Sequence, residues 1–261
     1  LAPADYHVQF SLGRYLKLQG KPEQAEHAFV KATELAPQAV EPWLALGDLY
    51  LTVLNRPQQA ISAYRSAVAR DRKRAVSHYA LGVALFKAGE AEAALSELAK
   101  SGTLDPANPL PFLERTKIQM ALKRWQDAEG DLQEALRRQP GLLEARLLRA
   151  ELWLVQGEKA EAEAAYRQLL RAHPDLALAY NNLAWLLLEH NLSEAERMAS
   201  KAVALAPTQA QFQETLSAVY FAQGKLSKAC QVLQQALKMA PQDPLIQTRW
   251  REKQSLCEKH S

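Results

Sequence analysis

"WLALGDLYLTVLNRPQQAISAYRSAVARD", Trp43 to Asp71, decides the fold. Trp43, Leu46, Gly47 and Tyr50 stand at i, i+3, i+4 and i+7, the spacing of one helix face. "NRP" interrupts, and Pro57 sits where a second helix has its first turn, a place that tolerates a missing N–H. Ala60, Tyr64 and Ala67 then mark one face of that second helix. The stretch reads as two helices joined by a tight turn.

The same text recurs on either side. "FSLGRYLKLQGKPEQAEHAFVKATELAP" precedes it and "YALGVALFKAGEAEAALSELAKSGTLDP" follows it. Pro37, Pro106, Pro140, Pro174, Pro207 and Pro241 repeat at a period of 34, allowing one 33-residue step and one double step of 69. Gly13, Gly47 and Gly82 share a column, and Ala25, Ala60, Ala94, Ala128, Ala162, Ala195 and Ala229 share another. Four residues after each alanine comes a large residue, Phe29, Tyr64, Leu98, Leu132, Tyr166 or Leu233, with Ala199 the exception. Gly20, Gly89, Gly157 and Gly224 are expected to stop first helices in the left-handed conformation. All thirteen prolines fall at a repeat end or in a first helical turn, so punctuation and period agree. Small residues on the first helix facing alanine on the second should let the two axes approach closely. One such pair cannot bury its own apolar face, so stability must come from stacking neighbours.

These residues resemble the tetratricopeptide repeat, whose pattern is W-x2-L-G-x2-Y followed by A, F, A and P. Trp43, Leu46, Gly47, Tyr50, Ala60, Tyr64 and Ala67 carry it, with a departure at Arg72. Seven units follow: 6–39, 40–74, 75–108, 109–142, 143–176, 177–209 and 210–243, with 244–261 as a capping helix. The fourth is degenerate, with Arg115, Thr116 and Gln119 in place of Leu, Gly and Tyr. The resemblance implies an all-α right-handed superhelical solenoid that serves as a non-catalytic protein-interaction scaffold, with no cofactor. The Ala- and Gln-rich texture resembles bacterial members. A second reading makes these repeats the portion of a larger envelope, polysaccharide-export or secretion protein, with a cytoplasmic or periplasmic location open.

In that family the first helices line a concave groove for a peptide or protein segment. The matching positions here are Phe10, Arg14, Lys17, Leu44, Asp48, Tyr79, Phe86, Lys117, Met120, Glu151, Asn181, Trp185 and Phe221. Aromatic patches with basic points at Arg14, Lys17 and Lys117 suit an amphipathic helix or an extended peptide carrying acidic residues. The family's clamp for a C-terminal carboxylate does not fit: Phe10 and Arg14 stand where Lys and Asn are needed, and no later window supplies the set.

Other chemistry is not written in the chain. It lacks a phosphate-binding glycine loop, a GxSxG elbow and an HExxH pair. "DAEGDLQE" lacks the glycine and glutamate of a calcium loop and reads as a solvated helix face. Six scattered histidines read as surface or edge residues. No apolar run is long enough to cross a bilayer, so no membrane insertion is expected. A net charge of +3 does not argue for nucleic acid. The basic clusters Arg70–Arg74 and Arg137–Arg149 read as cations at helix C-termini and solvated turns. Cys230 and Cys257 show no metal spacing and are expected to be two separate thiols unless the fold joins them.

The ends differ. Ile246, Trp250 and Cys257 give the last helix an apolar face, with charged residues outside. The first helix is apolar all round, with Tyr6, Val8, Phe10, Leu12, Tyr15, Leu16 and Leu18, and so expects neighbours on more than one side. "LAPAD", Leu1 to Asp5, matches the repeat-ending tripeptides and is read as the tail of an upstream repeat. Self-association through that first helix is a further expectation.

Overall fold

The computed structural model describes residues 5–258. These form fifteen α-helices: α1 (Tyr6–Leu18), α2 (Pro22–Leu35), α3 (Val40–Thr52), α4 (Pro57–Arg70), α5 (Ala75–Lys87), α6 (Ala91–Leu104), α7 (Leu110–Ala121), α8 (Trp125–Arg138), α9 (Leu143–Gln156), α10 (Lys159–Ala172), α11 (Ala177–Leu187), α12 (Leu192–Leu205), α13 (Ala210–Ala222), α14 (Leu226–Met239) and α15 (Pro244–Glu258). Two compact units divide the chain, one ending at Ala145 and one starting at Arg146. The expected repeat tail over Leu1–Ala4 lies outside the described residues, as does Lys259.

In the first unit α1 packs on α2, α3 on α4, α5 on α6 and α7 on α8, and each pair also packs on the next. In the second, α10 packs on α11, α11 on α12, α12 on α13, α13 on α14 and α14 on α15. Except between α11 and α12, the turn inside a pair is set by a left-handed residue, Gly20, Gly89, Gly157 or Gly224 as expected, and Asn55 or Lys123 where glycine is missing. Behind it, a backbone N–H reaches five residues back: Lys21 to Leu16, Glu90 to Leu85, Arg124 to Gln119. In the pair with one extra residue the bond runs from Arg56 to Tyr50 instead, so the insertion is absorbed in the turn.

The alanine column is fully enclosed: Ala25, Ala60, Ala94, Ala128, Ala162, Ala195 and Ala229 are all 0% exposed. The glycine column faces, above all, the large residue four places after that alanine. A methyl placed on Gly13 would lie 2.6 Å from the Phe29 ring, on Gly47 2.5 Å from the Tyr64 ring, and on Gly82 2.6 Å from Leu98. Each glycine is therefore the seat of the large residue on the partner helix, and that residue fills the space between the axes.

Three expectations are corrected. Cys230 and Cys257 form a disulfide that ties α14 to α15. The register of α15 explains it: Ile246 and Cys257 are buried on the same face, which brings the Cys257 Cα within 5.3 Å of Cys230. Asp131, read as part of a solvated face, is buried, and its carboxylate meets Arg115 at 3.1 Å. The degenerate fourth repeat put Arg115 where the pattern has leucine, and a buried carboxylate answers it. His78, read as a surface or edge residue, is also buried; its ring nitrogens lie 2.6 Å from Glu97 Oε2 and 3.0 Å from the Arg72 carbonyl.

The basic clusters do more than sit at helix ends. Arg70 donates to the Pro37 carbonyl and lies 4.4 Å over the Trp43 ring. Arg138 repeats this one level on, donating to the Pro106 carbonyl at 2.7 Å and lying 3.9 Å over Phe112. Each arginine stacks on an aromatic face while closing the carbonyl of an inter-repeat turn.

Candidate functional site

The residues read from the sequence as a groove sit on the first helix of each pair. Phe10, Arg14 and Lys17 on α1 and Leu44 and Asp48 on α3 come together around a cavity of about 430 Å³. Phe10 and Leu44 lean on the core of the first unit, and Phe10 tilts against Phe29 with ring centres 5.9 Å apart. Arg14 is exposed, Lys17 is half-buried, and neither makes an ion pair among the described residues. Opposite them, Asp48 accepts a 2.5 Å bond from the Tyr64 hydroxyl, and Glu41 is held by Arg74 at 2.7 Å. The Arg74 hydrogen bond keeps the Glu41 carboxyl below the usual range. The cations are thus open to a ligand, while the carboxylates beside them are engaged.

Further along the unit Tyr79 and Phe86 are half-buried and pack on the same core. Lys117 is not a free basic point. Its Nζ lies 2.8 Å from Glu114 and 2.6 Å from Glu144. Burial works to lower its pKa, but these two carboxylates outweigh it and hold the ammonium above its ordinary value. Met120 is half-buried beside it in sequence. Beneath lies the Arg115–Asp131 pair, with Arg115 Nε, Asp131 Oδ2 and Gln119 Oε1 buried and unbonded. Burial pushes the Asp131 carboxyl up to about 6 despite the neighbouring Arg115. Such a pair is costly rather than stabilising, because the charges leave water without full replacement of their hydrogen bonds.

In the second unit the same helix face carries Glu151, Asn181, Trp185 and Phe221. Glu151 and Trp185 are half-buried, and Asn181 is 7% exposed. Phe221 lies 5.5 Å below the Lys253 ammonium of α15. Another side chain of α15, Arg249, reaches Glu214 at 3.0 Å, a carboxylate raised by burial against that arginine. The last first-helix face is thus partly covered by α15. The sequence signalled that cap through Ile246, Trp250 and Cys257 but read Arg249 and Lys253 as its polar exterior, and they reach inward instead. Among the described residues no cluster of three or more His, Cys, Asp or Glu could hold a metal ion, and no helix is long and apolar enough to cross a membrane.

Tetratricopeptide repeat profiles match residues 10–75, 53–109, 117–177, 154–199 and 186–248, which is most of the chain. The chain belongs to the tetratricopeptide repeat family. This family's fold is generally a non-catalytic protein-interaction fold. Among solved structures, a tetratricopeptide repeat protein from Parabacteroides merdae superposes with a TM-score of 0.78 at 19% identity, covering 93% of this chain and 96% of that one. Yeast Tom70 gives 0.65 at 19% identity over 98% of this chain and 53% of its own. YrrB, described as having an unusual peptide-binding site, gives 0.54 at 22% identity over 71% of this chain and 95% of its own. These likenesses show the fold. Human protein O-mannosyl-transferase TMTC3 is 23% identical over 255 residues, 95% of this chain and 28% of its own length. Rat DnaJ homolog subfamily C member 3 is 32% identical over 97 residues, 37% of this chain and 19% of its own. The chain therefore spans less than a third of the curated relatives it matches.

Proposed function

We propose that this tetratricopeptide repeat chain is a non-catalytic scaffold that holds a peptide or protein segment against the first-helix faces, beginning with the cavity of α1 and α3. One observation carries the reading: Arg14 and Lys17 stand unpaired among the described residues beside Phe10 and Leu44, while Asp48 and Glu41 are already bonded. Apolar contact plus two available cations suits a segment that places an acidic residue next to an apolar one. The test uses an immobilised array of short peptides that alternate acidic and apolar residues. Arg14→Glu with Lys17→Glu should weaken capture of these peptides about tenfold or more, leaving the melting temperature unchanged. Unchanged capture would remove the reading. Lys117→Glu is expected to lower stability instead, since it breaks contacts with Glu114 and Glu144.

The share of the curated relatives that this chain spans supports a second reading, in which these repeats are one portion of a larger protein. The full coding sequence tests it: an additional domain supports it, and none removes it. The disulfide points to an oxidising compartment for the second unit, since such bonds persist outside the reducing cytosol. Thiol titration of denatured protein isolated without reductant should find no free thiol; two free thiols would overturn this.

A further inference from the structure

Along the first-helix faces several charges are already engaged. Asp48 is bonded to Tyr64, Lys117 to two glutamates and Glu214 to Arg249. Glu151 of α9, like Arg14 and Lys17 of α1, is different. It is half-buried, and no ion pair or hydrogen bond reaches its carboxylate among the described residues. Asn181 Nδ2 donates to Asn182 Oδ1 at 3.3 Å, and Asn182 Nδ2 donates to the Tyr166 hydroxyl at 3.0 Å. Tyr166 is fully buried and its hydroxyl feels the charge of Glu151. At the other end of this relay Asn181 Oδ1 is buried with no donor. Trp185 lies one helical turn beyond Asn181 on the same face of α11, half-buried. Trp43 and Trp153 each carry an arginine over the ring, at 4.4 and 5.2 Å; Trp185 carries none among the described residues.

An unpaired carboxylate, an amide oxygen without a donor and a bare indole face share one requirement. Each is satisfied by a cation that donates hydrogen bonds, and neither an anion nor an apolar side chain satisfies all three. We infer that Glu151, Asn181 and Trp185 form a subsite in the second unit for the lysine or arginine side chain of a bound peptide. This rests on the scaffold reading above and assigns the second unit a preference opposite to that of the α1–α3 cavity. Burial raises the Glu151 carboxyl above its ordinary value, as expected for an acid waiting for its counter-charge.

The test uses the whole chain and immobilised hexapeptides with a fixed central lysine, arginine or norleucine, flanked by uncharged residues. Wild-type protein should retain the lysine and arginine peptides at least tenfold better than the norleucine ones. Glu151→Gln should erase that difference, and Trp185→Leu should reduce it severalfold. Glu189→Gln, a charge change at the exposed end of the α11–α12 turn, should leave the preference intact. A tryptophan indole N–H signal that shifts with the lysine peptide and is absent from Trp185→Leu would locate the contact. Equal retention of all three peptides by the wild type would sink the cation subsite but leave the scaffold reading standing. No retention of any of these peptides, together with none of the acidic ones above, would sink both. A preference that survives Glu151→Gln would overturn the assignment of these residues.

Discussion

Asp48 in the first unit and Glu151 in the second occupy the same place in the repeat, each opposite a tyrosine, Tyr64 or Tyr166. One is bonded and the other is not. The difference begins one residue earlier. Asp48 follows Gly47, and a methyl on Gly47 would lie 2.5 Å from the Tyr64 ring. Glu151 follows Ala150, which carries that methyl and is fully buried. Tyr64 and Tyr166 are both fully buried, but their hydroxyls meet different partners. Asn182 takes that of Tyr166, and Glu151 is left for another partner. The partner taken by the tyrosine hydroxyl thus separates a bonded carboxylate from one without a bond among the described residues. Asp131 extends the series as a third carboxylate, more enclosed than either and matched to Arg115.

The largest perturbation separates the two units rather than the two residues. Replacing Cys230 and Cys257 by serine removes a cross-link between positions 27 apart and should cost about 3–4 kcal/mol by loop-closure entropy. Hydrogen exchange should then accelerate across α14 and α15 and stay slow in α3–α6. Acceleration spread evenly over both units would show that the bond does not act locally.

Asp131 gives the next effect, through pH. The unfolded chain releases this proton near 3.9, whereas the folded one holds it to about 6. Between those values the folded state binds more protons than the unfolded, so stability falls as pH rises through the window. The fall is roughly 3 kcal/mol at most. Urea unfolding of wild type and Asp131→Asn at pH 4, 5, 6 and 7 checks this. The variant should lose the decline, and identical pH profiles would assign it to another group.

Gly47→Ala tests the methyl directly. It forces the Tyr64 ring outward, should cost about 1–3 kcal/mol by overpacking, and should break the bond to Asp48. Ala150→Gly is the mirror experiment, expected to cost about 1 kcal/mol from helix propensity while letting Tyr166 approach Glu151. The smallest effect is expected from the carboxylates themselves. Glu151→Gln should be neutral or stabilising by under about 1 kcal/mol, since no bond is lost, whereas Asp48→Asn should destabilise by about 0.5–1 kcal/mol. Thermal melts of the two variants compare them, and equal losses would erase the distinction between the two sites.

The sequence alone was enough for the helices, their pairing within the repeat and most of the turns. These follow from period, apolar spacing and the Gly and Pro punctuation, all of which are local. Tertiary structure decided which of the first-helix charges remain available. Lys117 looks as free as Arg14 in a list of columns, yet Glu114 and Glu144 close on it from its own and a neighbouring helix. Asp131 looks solvated until Arg115 turns in to meet it, and Cys230 looks idle until the register of α15 delivers Cys257. The reason is common to all three. Secondary structure is written in neighbours along the chain, but the state of a charge or a thiol depends on partners tens of residues away, or on the helix next door.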